Sequence, residues 1–361
     1  HIKLFMVLQK LKYKLRVLRI KAFSWEYWPM WLVYFPASFY FVYVCLKARS
    51  FFFFSAANPS IETGGMFFES KWKIFELIPK QYYPATIYID AADDLQSTIQ
   101  KMTVAGIAFP VIAKPDRGER GWCVKKLNNV IELEAYKRSV VIPFLIQAYS
   151  AYPLEFSIFY YRHPSSDKGA VTSVTLKKLL SVTGDGGSTI EQLIERNDRA
   201  VLQSTILKKS EQINLSRILK YGEEEILVPY GNHVRGAMFL DYNNILDEQL
   251  VNTFDTISKS INGFYFGRYD LRCASIEDLK QGKNFAILEL NGAGAEPAHI
   301  YQPGFSFFKA QKVITAHYEM MYAAAKENKK RGFEYMSFRS FKQIRTMEKV
   351  YKQKQAGLNF N

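Results

Sequence analysis

Two acidic residues and one amide lie near the ends of two apolar segments of the sequence. The segment Phe285 to Gly292 contains Glu289 and Asn291, and Asp270 lies in the preceding apolar segment. Glu289 and Asn291 are two residues apart, so on a strand their side chains project from the same face. All three side chains offer hard oxygen atoms, which Mg²⁺ binds together with water and phosphate oxygens. The spacing predicts a magnesium site at one end of two neighbouring strands.

Arg268 supports this prediction because it lies two residues before Asp270 and would share its face of the strand. A guanidinium at that position could bind a phosphoryl group during its transfer. The alternative for Glu289 and Asn291 alone is an ordinary strand that runs into a turn. Residues elsewhere in the chain must decide between the two interpretations.

Lys114 and a glycine-bearing loop favour phosphate chemistry. Lys114 ends an apolar segment that predicts a strand, and the loop that follows contains Gly118 and Gly121. Such a loop can fold over phosphates and offer backbone N–H groups, while the lysine supplies a point charge. Further on, residues 144–149 and 155–160 predict a strand pair that could line an adenine site, with Glu155 accepting hydrogen bonds from ribose hydroxyls.

The order of these residues along the chain resembles that in the ATP-grasp superfamily, and within it the D-alanine:D-alanine ligase-like carboxylate-amine ligases. The resemblance covers roughly Lys71 to Gly304. It implies an α+β ATP-grasp fold, in which two α/β lobes hold ATP between them. The residues that it implies are Lys71 (with Lys73 as the fallback), Lys114, Gly118, Gly121, Gln147, Tyr149 and Glu155 for ATP, Arg268 and Lys114 for catalysis, and Asp270, Glu289 and Asn291 for magnesium.

The chain departs from the family pattern at two places. Gln147 stands where an acidic residue is common, and the loop carries Arg117, Glu119 and Arg120 where small residues are usual. These departures affect the expected geometry of the hinge and of the closing lid.

The implied reaction phosphorylates a carboxylate with ATP, after which an amine displaces phosphate to give an amide. The expected cofactors are ATP and Mg²⁺, with two ions or with Mn²⁺ as a replacement. Two alternatives stay open. One is a kinase that passes the γ-phosphoryl group to a hydroxyl, and the other is a nucleotide-binding subunit of a membrane complex without turnover.

Further polar residues are candidates for the carboxylate and amine substrates. Residues 183–188 form a glycine-dense loop that the resemblance equates with a flap, although a tight turn capped by Ser188 explains each residue equally well. Arg235 is a candidate catalytic residue because guanidinium suits carboxylate or phosphate, whereas a lone His233 is more often structural. The candidate substrate residues are Lys177, Thr183, Asp185, Ser188, His233 and Glu296, of which Glu296 could hold a substrate ammonium.

The formal net charge of +14 in 361 residues is concentrated at the two ends of the chain. Residues 1–49 contain nine Lys or Arg against one acidic residue, and residues 326–361 contain ten against three. The basic ends flank apolar rings instead of interleaving with them, which favours an anionic membrane and disfavours nucleic acid. The three cysteines have no paired spacing, which indicates a reducing compartment.

The first 49 residues predict a membrane-associated segment on the cytoplasmic face. Residues 1–23 carry leucines at helical spacing beside lysines, typical of a basic helix on a membrane surface, with a packed surface helix as the alternative. The uncharged run Trp28 to Leu46 is interrupted by Pro29 and Pro36, which predicts a helical hairpin in one leaflet, with a single span as second choice. One substrate is then expected to be lipid-linked or amphiphilic.

The predicted domains are a membrane-interacting segment (1–49), a reduced region before the ATP-grasp domain (50–105), the ATP-grasp domain (106–325, with lid and hinge at 106–165 and a catalytic lobe at 166–325) and a basic helical tail (326–361). Within them, Ser50 to Ser55 predicts a buried strand, 170–182 one long strand, and 197–221 a polar helical insertion. An assembly of several copies is compatible with this sequence.

Overall fold

The structure is a computed structural model that describes residues 2–119, 121–209, 213–229 and 231–356, with side chains of the first helix described from residue 11. The chain forms two compact units. The first comprises His1–Ser38, Leu176–Asp241 and His299–Lys312, and the second comprises Phe39–Thr175, Tyr242–Ala298 and Val313–Asn361.

The structure combines helices with sheets whose strands pair antiparallel, which confirms the predicted α+β class, and the expected apolar helix near the N-terminus is present. The helices are α1 Ile2–Phe23, α2 Met30–Ala48, α3 Lys71–Leu77, α4 Leu95–Val104, α5 Val130–Ser139, α6 Ile190–Arg196, α7 Ser204–Leu207, α8 Glu248–Ser260, α9 Ile276–Lys280, α10 Phe307–Lys330 and α11 Phe338–Ala356. The strands are β1 Thr86–Ile89, β2 Val111–Pro115, β3 Lys125–Leu127, β4 Phe144–Ala148, β5 Leu154–Tyr161, β6 Ala170–Lys178, β7 Leu180–Thr183, β8 Glu224–Val228, β9 Met238–Asp241, β10 Phe266–Cys273 and β11 Phe285–Asn291.

A four-stranded sheet with the order β1-β4-β2-β3 carries Lys114. Its strands bury Val111, Ala113 and Ile146 against α5, which begins where the Asn129 side chain accepts the backbone N–H of Glu132. Because residues alternate along β2, Lys114 projects from the face opposite that core.

In the second unit, β10 lies between β11 and β5 in the sheet that carries Asp270 and Glu289. Tyr269 and Leu290 point into the core and are almost fully buried. The alternate residues Arg268 and Asp270 therefore face the other way. Strand β6 follows β5 in this sheet.

Asn58 fixes the loop before α3 to the start of β10. Its buried side chain accepts the backbone N–H groups of Tyr265 and Phe266 and donates to the carbonyl oxygens of Gly64 and Phe266. These four hydrogen bonds use its full capacity as donor and acceptor, so the loop is rigidly connected to the sheet.

Helix α2 continues through Pro36, so the predicted hairpin is wrong. Proline removes one hydrogen bond and costs about 3 kcal/mol inside a helix. Here the flanking residues Val33 and Ala37 are buried on one face, as are Val44 and Cys45 further along. Burial of that face offsets the lost hydrogen bond.

Three other sequence-based expectations are wrong. Residues 50–55 form turns and a 3₁₀ segment instead of a strand, with Phe53 and Phe54 buried. The described residues within 197–221 are mostly irregular, because the Asn197 and Asn214 side chains accept nearby backbone N–H groups and compete with helix formation. The expected strand at 170–182 is broken into β6 and β7.

Candidate active site

Asp270 and Glu289 lie directly opposite each other on β10 and β11, as the sequence predicts for a shared site. Arg268 donates from Nε and Nη2 to the two carboxylate oxygens of Asp270, both at 3.1 Å. Asn291 donates to Asp270 Oδ2 at 3.2 Å, and the Ser157 hydroxyl of β5 donates to Oδ1. Asp270 is therefore held by donors on both oxygens.

Two lysines from separate elements reach the same strand. Lys114 Nζ of β2 donates to the carbonyl oxygen of Leu288 at 2.8 Å and to Gln147 Oε1 at 3.0 Å. Lys71 Nζ of α3 lies 3.4 Å from Glu289 Oε1. We refer to Lys71, Lys114, Arg268, Asp270 and Glu289 as the lysine–carboxylate cluster. It contains three cations and two anions, so it has a net positive charge that suits a phosphate.

Lys114 is buried, with 6% of its surface exposed. Its pKa is lowered to about 8, mainly by burial and also by the charge of Lys71, while the charge of Glu289 acts in the opposite direction. Its two hydrogen-bond acceptors are neutral oxygens. An anion in contact with this ammonium would raise the pKa of Lys114 towards the ordinary lysine value.

The loop after β2 contacts Lys71. The carbonyl oxygen of Gly118 accepts a hydrogen bond from Lys71 Nζ at 2.6 Å. Gly118 has a φ of +146°, and a Cβ there would lie 2.8 Å from the Trp122 ring, so the loop requires glycine. Gly121 also has a positive φ. Arg120 lies outside the described residues.

Polar contacts of Asp116 and Glu62 position the start of α3 and the base of this loop. Asp116 accepts the Ser70 hydroxyl and the backbone N–H of Trp72, while Ser70 caps α3. Arg117 pairs with Glu62 at 2.7 Å, and Glu62 also accepts from the fallback residue Lys73. Lys73 is therefore bound at the base of the loop, whereas Lys71 reaches the cluster.

The expected hinge has a different geometry from the predicted one. Strands β4 and β5 belong to different sheets, so residues 144–149 and 155–160 do not form a strand pair. Gln147 is buried, and its side chain joins Lys114 to the Thr86 hydroxyl. Gln147 therefore orients Lys114 through a neutral amide oxygen, whereas an acidic residue at this position would place a negative charge beside the lysine.

Tyr149 and Glu155 are joined through Arg272, which the sequence analysis did not select. Arg272 donates from Nε to Glu155 at 3.1 Å and from Nη1 to the Tyr149 hydroxyl at 3.2 Å. Lys126 Nζ lies 4.1 Å from the centroid of the Tyr149 ring. The spacing could have revealed Arg272, because Arg268, Asp270 and Arg272 alternate along one strand and share a face. Ser157 could have been found in the same way from Glu155.

The loop after β11 packs closely against the loop before α3. Gly292 approaches Gly64 and Gly65 so closely that a Cβ at Gly292 would lie 2.4 Å from the Gly64 carbonyl oxygen. The backbone carbonyl of Glu296 accepts Arg268 Nη1 at 3.0 Å. The predicted substrate residue Glu296 therefore lies on a loop that Arg268 holds beside the cluster.

Glu69 lies near the cluster, and its Oε2 is buried without a hydrogen-bond partner in the described structure. Burial raises the pKa of this carboxyl group, and the charges of Glu119 and Glu289 act in the same direction, against Lys71. The sequence analysis did not select Glu69 by itself.

Asp270, Glu289 and Asn291 offer the oxygen donors that magnesium prefers, and all three lie on one face of β10 and β11. Within the described residues, no group of three His, Cys, Asp or Glu could hold a metal ion. Any site here therefore depends on the Asn291 amide as its third ligand. Because Asp270 accepts donors on both oxygens, a bound ion would replace at least one of them. The donor chemistry fits magnesium, and the metal assignment remains a prediction.

The remaining candidate residues lie in the first unit. Asp185 accepts the backbone N–H groups of Gly187 and Ser188 and the Ser188 hydroxyl, so the glycine-dense loop is a closed turn. The Ser188 hydrogen bonds lower the pKa of Asp185. The cap of α6 is Thr189, not the predicted Ser188. Thr183 pairs with Glu224 across β7 and β8.

His233 belongs to a buried group in which Glu26 is central. Arg199 Nη2 lies 2.8 Å from Glu26 Oε2, and His233 Nε2 lies 3.2 Å from the same oxygen. The Tyr27 ring stacks on the imidazole, and the Tyr301 ring packs against it at a tilt of 40°. We refer to Glu26, Arg199 and His233 as the buried ion-pair cluster. Burial raises the pKa of Glu26, but the hydrogen bonds and charges of His233 and Arg199 outweigh burial and bring this pKa below its usual value.

Two further first-unit candidates lie on the elements around this cluster. Arg235 ends the short 3₁₀ turn that contains His233 and that begins with an Asn232 cap. Lys177 Nζ lies 5.8 Å from the Phe239 ring centroid, and Phe239 also packs against His233.

No protein-family model matches the sequence, and no curated protein matches it either. Solved structures to which the chain is similar include a bifunctional glutathione synthetase from Pasteurella multocida (14% identity, TM-score 0.37, 68% of this chain and 35% of that one). They also include VanG D-Ala:D-Ser ligase from Enterococcus faecalis (12% identity, TM-score 0.40, 71% of this chain and 62% of that one). A third is the ATP-grasp ligase PsnB (13% identity, TM-score 0.37, 70% of this chain and 58% of that one). The chain spans less than two thirds of each of these proteins. At these TM-scores, the functional proposal is based on the site alone.

Proposed function

We propose that this chain is an ATP-dependent ligase that joins a carboxylate to an amine, with ADP and phosphate as the other products. The observation that carries the proposal is the buried Lys114 ammonium, which hydrogen-bonds two neutral oxygens beside the opposed carboxylates Asp270 and Glu289. A buried cation without an anionic partner is costly. A nucleotide phosphate would supply that partner.

Each member of the cluster has a distinct role in the proposal. Lys71 and Lys114 would hold the ATP phosphates, and Arg268 would stabilise the negative charge of the phosphoryl group during transfer. Asp270, Glu289 and Asn291 would hold magnesium, which neutralises phosphate charge when bound. Gly118 and Gly121 would place backbone N–H groups over the phosphates, and Gln147, Tyr149 and Glu155 would border the nucleoside.

The proposed reaction has two steps. A substrate carboxylate oxygen attacks the γ-phosphorus, the bond from phosphorus to the ADP oxygen breaks, and an acyl phosphate forms. The amine then attacks the acyl carbon, phosphate leaves with its bridging oxygen, and the amine proton passes to solvent. We propose that Glu296, on the loop that Arg268 holds beside the cluster, contacts one substrate, and that one of the two substrates is lipid-linked or amphiphilic. Candidates selected from the sequence alone are the first-unit residues Lys177, Thr183, Asp185, Ser188, His233 and Arg235.

The test is to incubate the full chain with ATP, Mg²⁺ and a fractionated membrane extract, and to identify by mass spectrometry the compound that appears together with ADP. We expect an amide whose formation requires both an acid and an amine fraction. A stable phosphorylated product without an amine requirement would instead establish the kinase alternative. Nucleotide binding without ADP release under every condition would establish a non-catalytic subunit.

A further inference from the structure

Helix α2 exposes a continuous apolar face. Trp31, Phe35, Phe39, Val42 and Leu46 recur at intervals of three or four residues and lie on one side of the helix. Between 46% and 70% of the surface of each is exposed. We refer to these five residues as the α2 stripe. No acidic or basic residue occurs from Trp28 to Leu46, so the stripe is also uncharged.

The opposite side of α2 is held by the protein. In the second unit, Phe41 packs against Phe53 and Tyr318, and the Tyr40 hydroxyl donates to Glu319 at 2.8 Å. Lys47 at the end of the helix pairs with the same glutamate at 3.1 Å. A helix held along one side can present only its other side to a partner.

Length and composition alone would allow α2 to cross a membrane. Among the described residues, it is the one helix that is long and apolar enough. The contacts of Tyr40, Phe41 and Lys47 with the protein favour a helix that lies in the membrane surface. A partly buried helix with aromatic residues on its exposed side is typical of that arrangement.

The charges around the stripe favour an anionic bilayer over a second copy of the chain. Lys47 and Arg49 follow the stripe, and Lys12, Lys14 and Lys21 of α1 are exposed. Pairing of two identical faces would bring two strongly basic N-terminal segments together, which like charges oppose. Anionic headgroups would instead attract those lysines, each by about 1 kcal/mol near the surface.

We propose that the α2 stripe enters the interfacial region of an anionic lipid bilayer, with α2 lying parallel to the membrane surface. The aromatic and aliphatic side chains supply the apolar contact, and the neighbouring basic residues supply attraction that salt screens. This proposal is independent of the proposed ligase activity, because binding to vesicles can be measured without nucleotide.

The experiment compares the full chain with two double variants by flotation with phosphatidylcholine vesicles, with and without phosphatidylserine. Phe39→Ser/Leu46→Ser shortens the stripe at exposed positions. Val104→Ser/Ile131→Ser is the matched control, because these residues are 85% and 74% exposed on α4 and α5. We expect the stripe variant to lose on the order of tenfold or more in partition coefficient, and the control to keep its affinity. Circular dichroism and thermal melting would verify that both variants fold.

Tryptophan fluorescence gives a second, position-specific measurement. Trp31 should be quenched by lipids with brominated acyl chains, and the Trp31→Phe variant should lose that quenching. The proposal is overturned if the unaltered chain does not bind anionic vesicles, or if the control variant loses affinity as much as the stripe variant. It is also overturned if the stripe variant abolishes self-association in lipid-free buffer while the unaltered chain ignores vesicles, since the occupant is then a second copy.

Discussion

The lysine–carboxylate cluster of the second unit and the buried ion-pair cluster of the first unit use the same residue types in different ways. In the ion-pair cluster, one anion and one guanidinium are paired at 2.8 Å, and aromatic rings enclose them. In the lysine–carboxylate cluster, cations outnumber anions, and Lys114 has neutral acceptors. Burial of charge by itself therefore does not indicate function. An unbalanced charge within reach of a loop is what suggests a ligand.

The largest effect should follow from removal of charge in the lysine–carboxylate cluster. We expect Glu289→Gln or Asp270→Asn to lower the rate of ADP release on the order of a hundredfold or more, because stabilisation of the transferring phosphoryl group is lost. Neither side chain is part of an apolar core, so the folded state should be kept. Steady-state kinetics with Glu248→Gln, an exposed acidic residue on α8, as the matched control would test this. Near-normal rates in both variants would show that the metal assignment is wrong.

A smaller effect, on stability, should follow from the buried ion-pair cluster. Glu26→Gln leaves the guanidinium of Arg199 buried without its anion, and we expect a loss of about 2 kcal/mol in the free energy of unfolding. Chemical denaturation would measure the loss. The control is Glu195→Gln, which changes an exposed glutamate on α6. If Glu26→Gln leaves stability unchanged, the contrast between a structural and a ligand-binding cluster fails.

The pH dependence of nucleotide binding should report on Lys114. Its pKa of about 8 means that the free protein loses this proton as the pH rises through about 8, whereas a bound phosphate favours the protonated form. Between about pH 8 and the ordinary lysine value of 10.5, binding should take up a proton, and affinity should fall by up to about tenfold per pH unit. In the same window, this group's contribution to folded stability rises, because the unfolded chain holds the proton more tightly.

Isothermal titration calorimetry in buffers of different ionisation enthalpy would detect the proton uptake. Lys114→Gln should bind more weakly and show no proton uptake assignable to this site, whereas Lys101→Gln on α4 should behave like the unaltered chain. Uptake that persists in Lys114→Gln would assign the proton to another group.

The smallest effect is expected at Glu69. Since burial raises its pKa, the folded chain binds this proton more tightly than the unfolded chain, and stability falls as the pH rises through the folded value. Glu69→Gln removes the buried charge, so we expect a gain in stability at neutral pH and no gain at acidic pH. Melting curves at both pH values would measure the difference. A loss of stability at neutral pH would indicate that the carboxylate has a partner.

The sequence allowed the core of the candidate site to be predicted, because alternation along a strand has a fixed period. Glu289 and Asn291 had to share a face, and the register then placed Asp270 and Arg268 beside them. The inference from strand alternation depends on short-range geometry alone. Lys71 was selected differently, from the family resemblance, and its Nζ lies 3.4 Å from Glu289 Oε1.

Long-range pairing was not predictable in the same way. The apolar runs at 144–149 and 155–160 correctly indicated strands, but nothing in them specifies that β4 pairs with β2 and β5 with β10. The role of Gln147 depends on that pairing, because it brings its side chain to Lys114. The phenylalanines at 51–54 show no alternating pattern, and tertiary contacts decide that Phe53 and Phe54 are buried while Phe51 is exposed.

The C-terminal helix has a consequence for the order of events during synthesis. The Tyr351 hydroxyl accepts the backbone N–H of Arg117 and donates to the carbonyl of Pro143, and Gln355 bonds the backbone of Ser139 and Val141. These contacts join residues more than 200 positions apart. While a ribosome is still translating α11, the sheet that carries Lys114 has already emerged with one side uncovered. The growing chain therefore passes through a long interval in which this surface can meet chaperones or other nascent chains before α11 covers it.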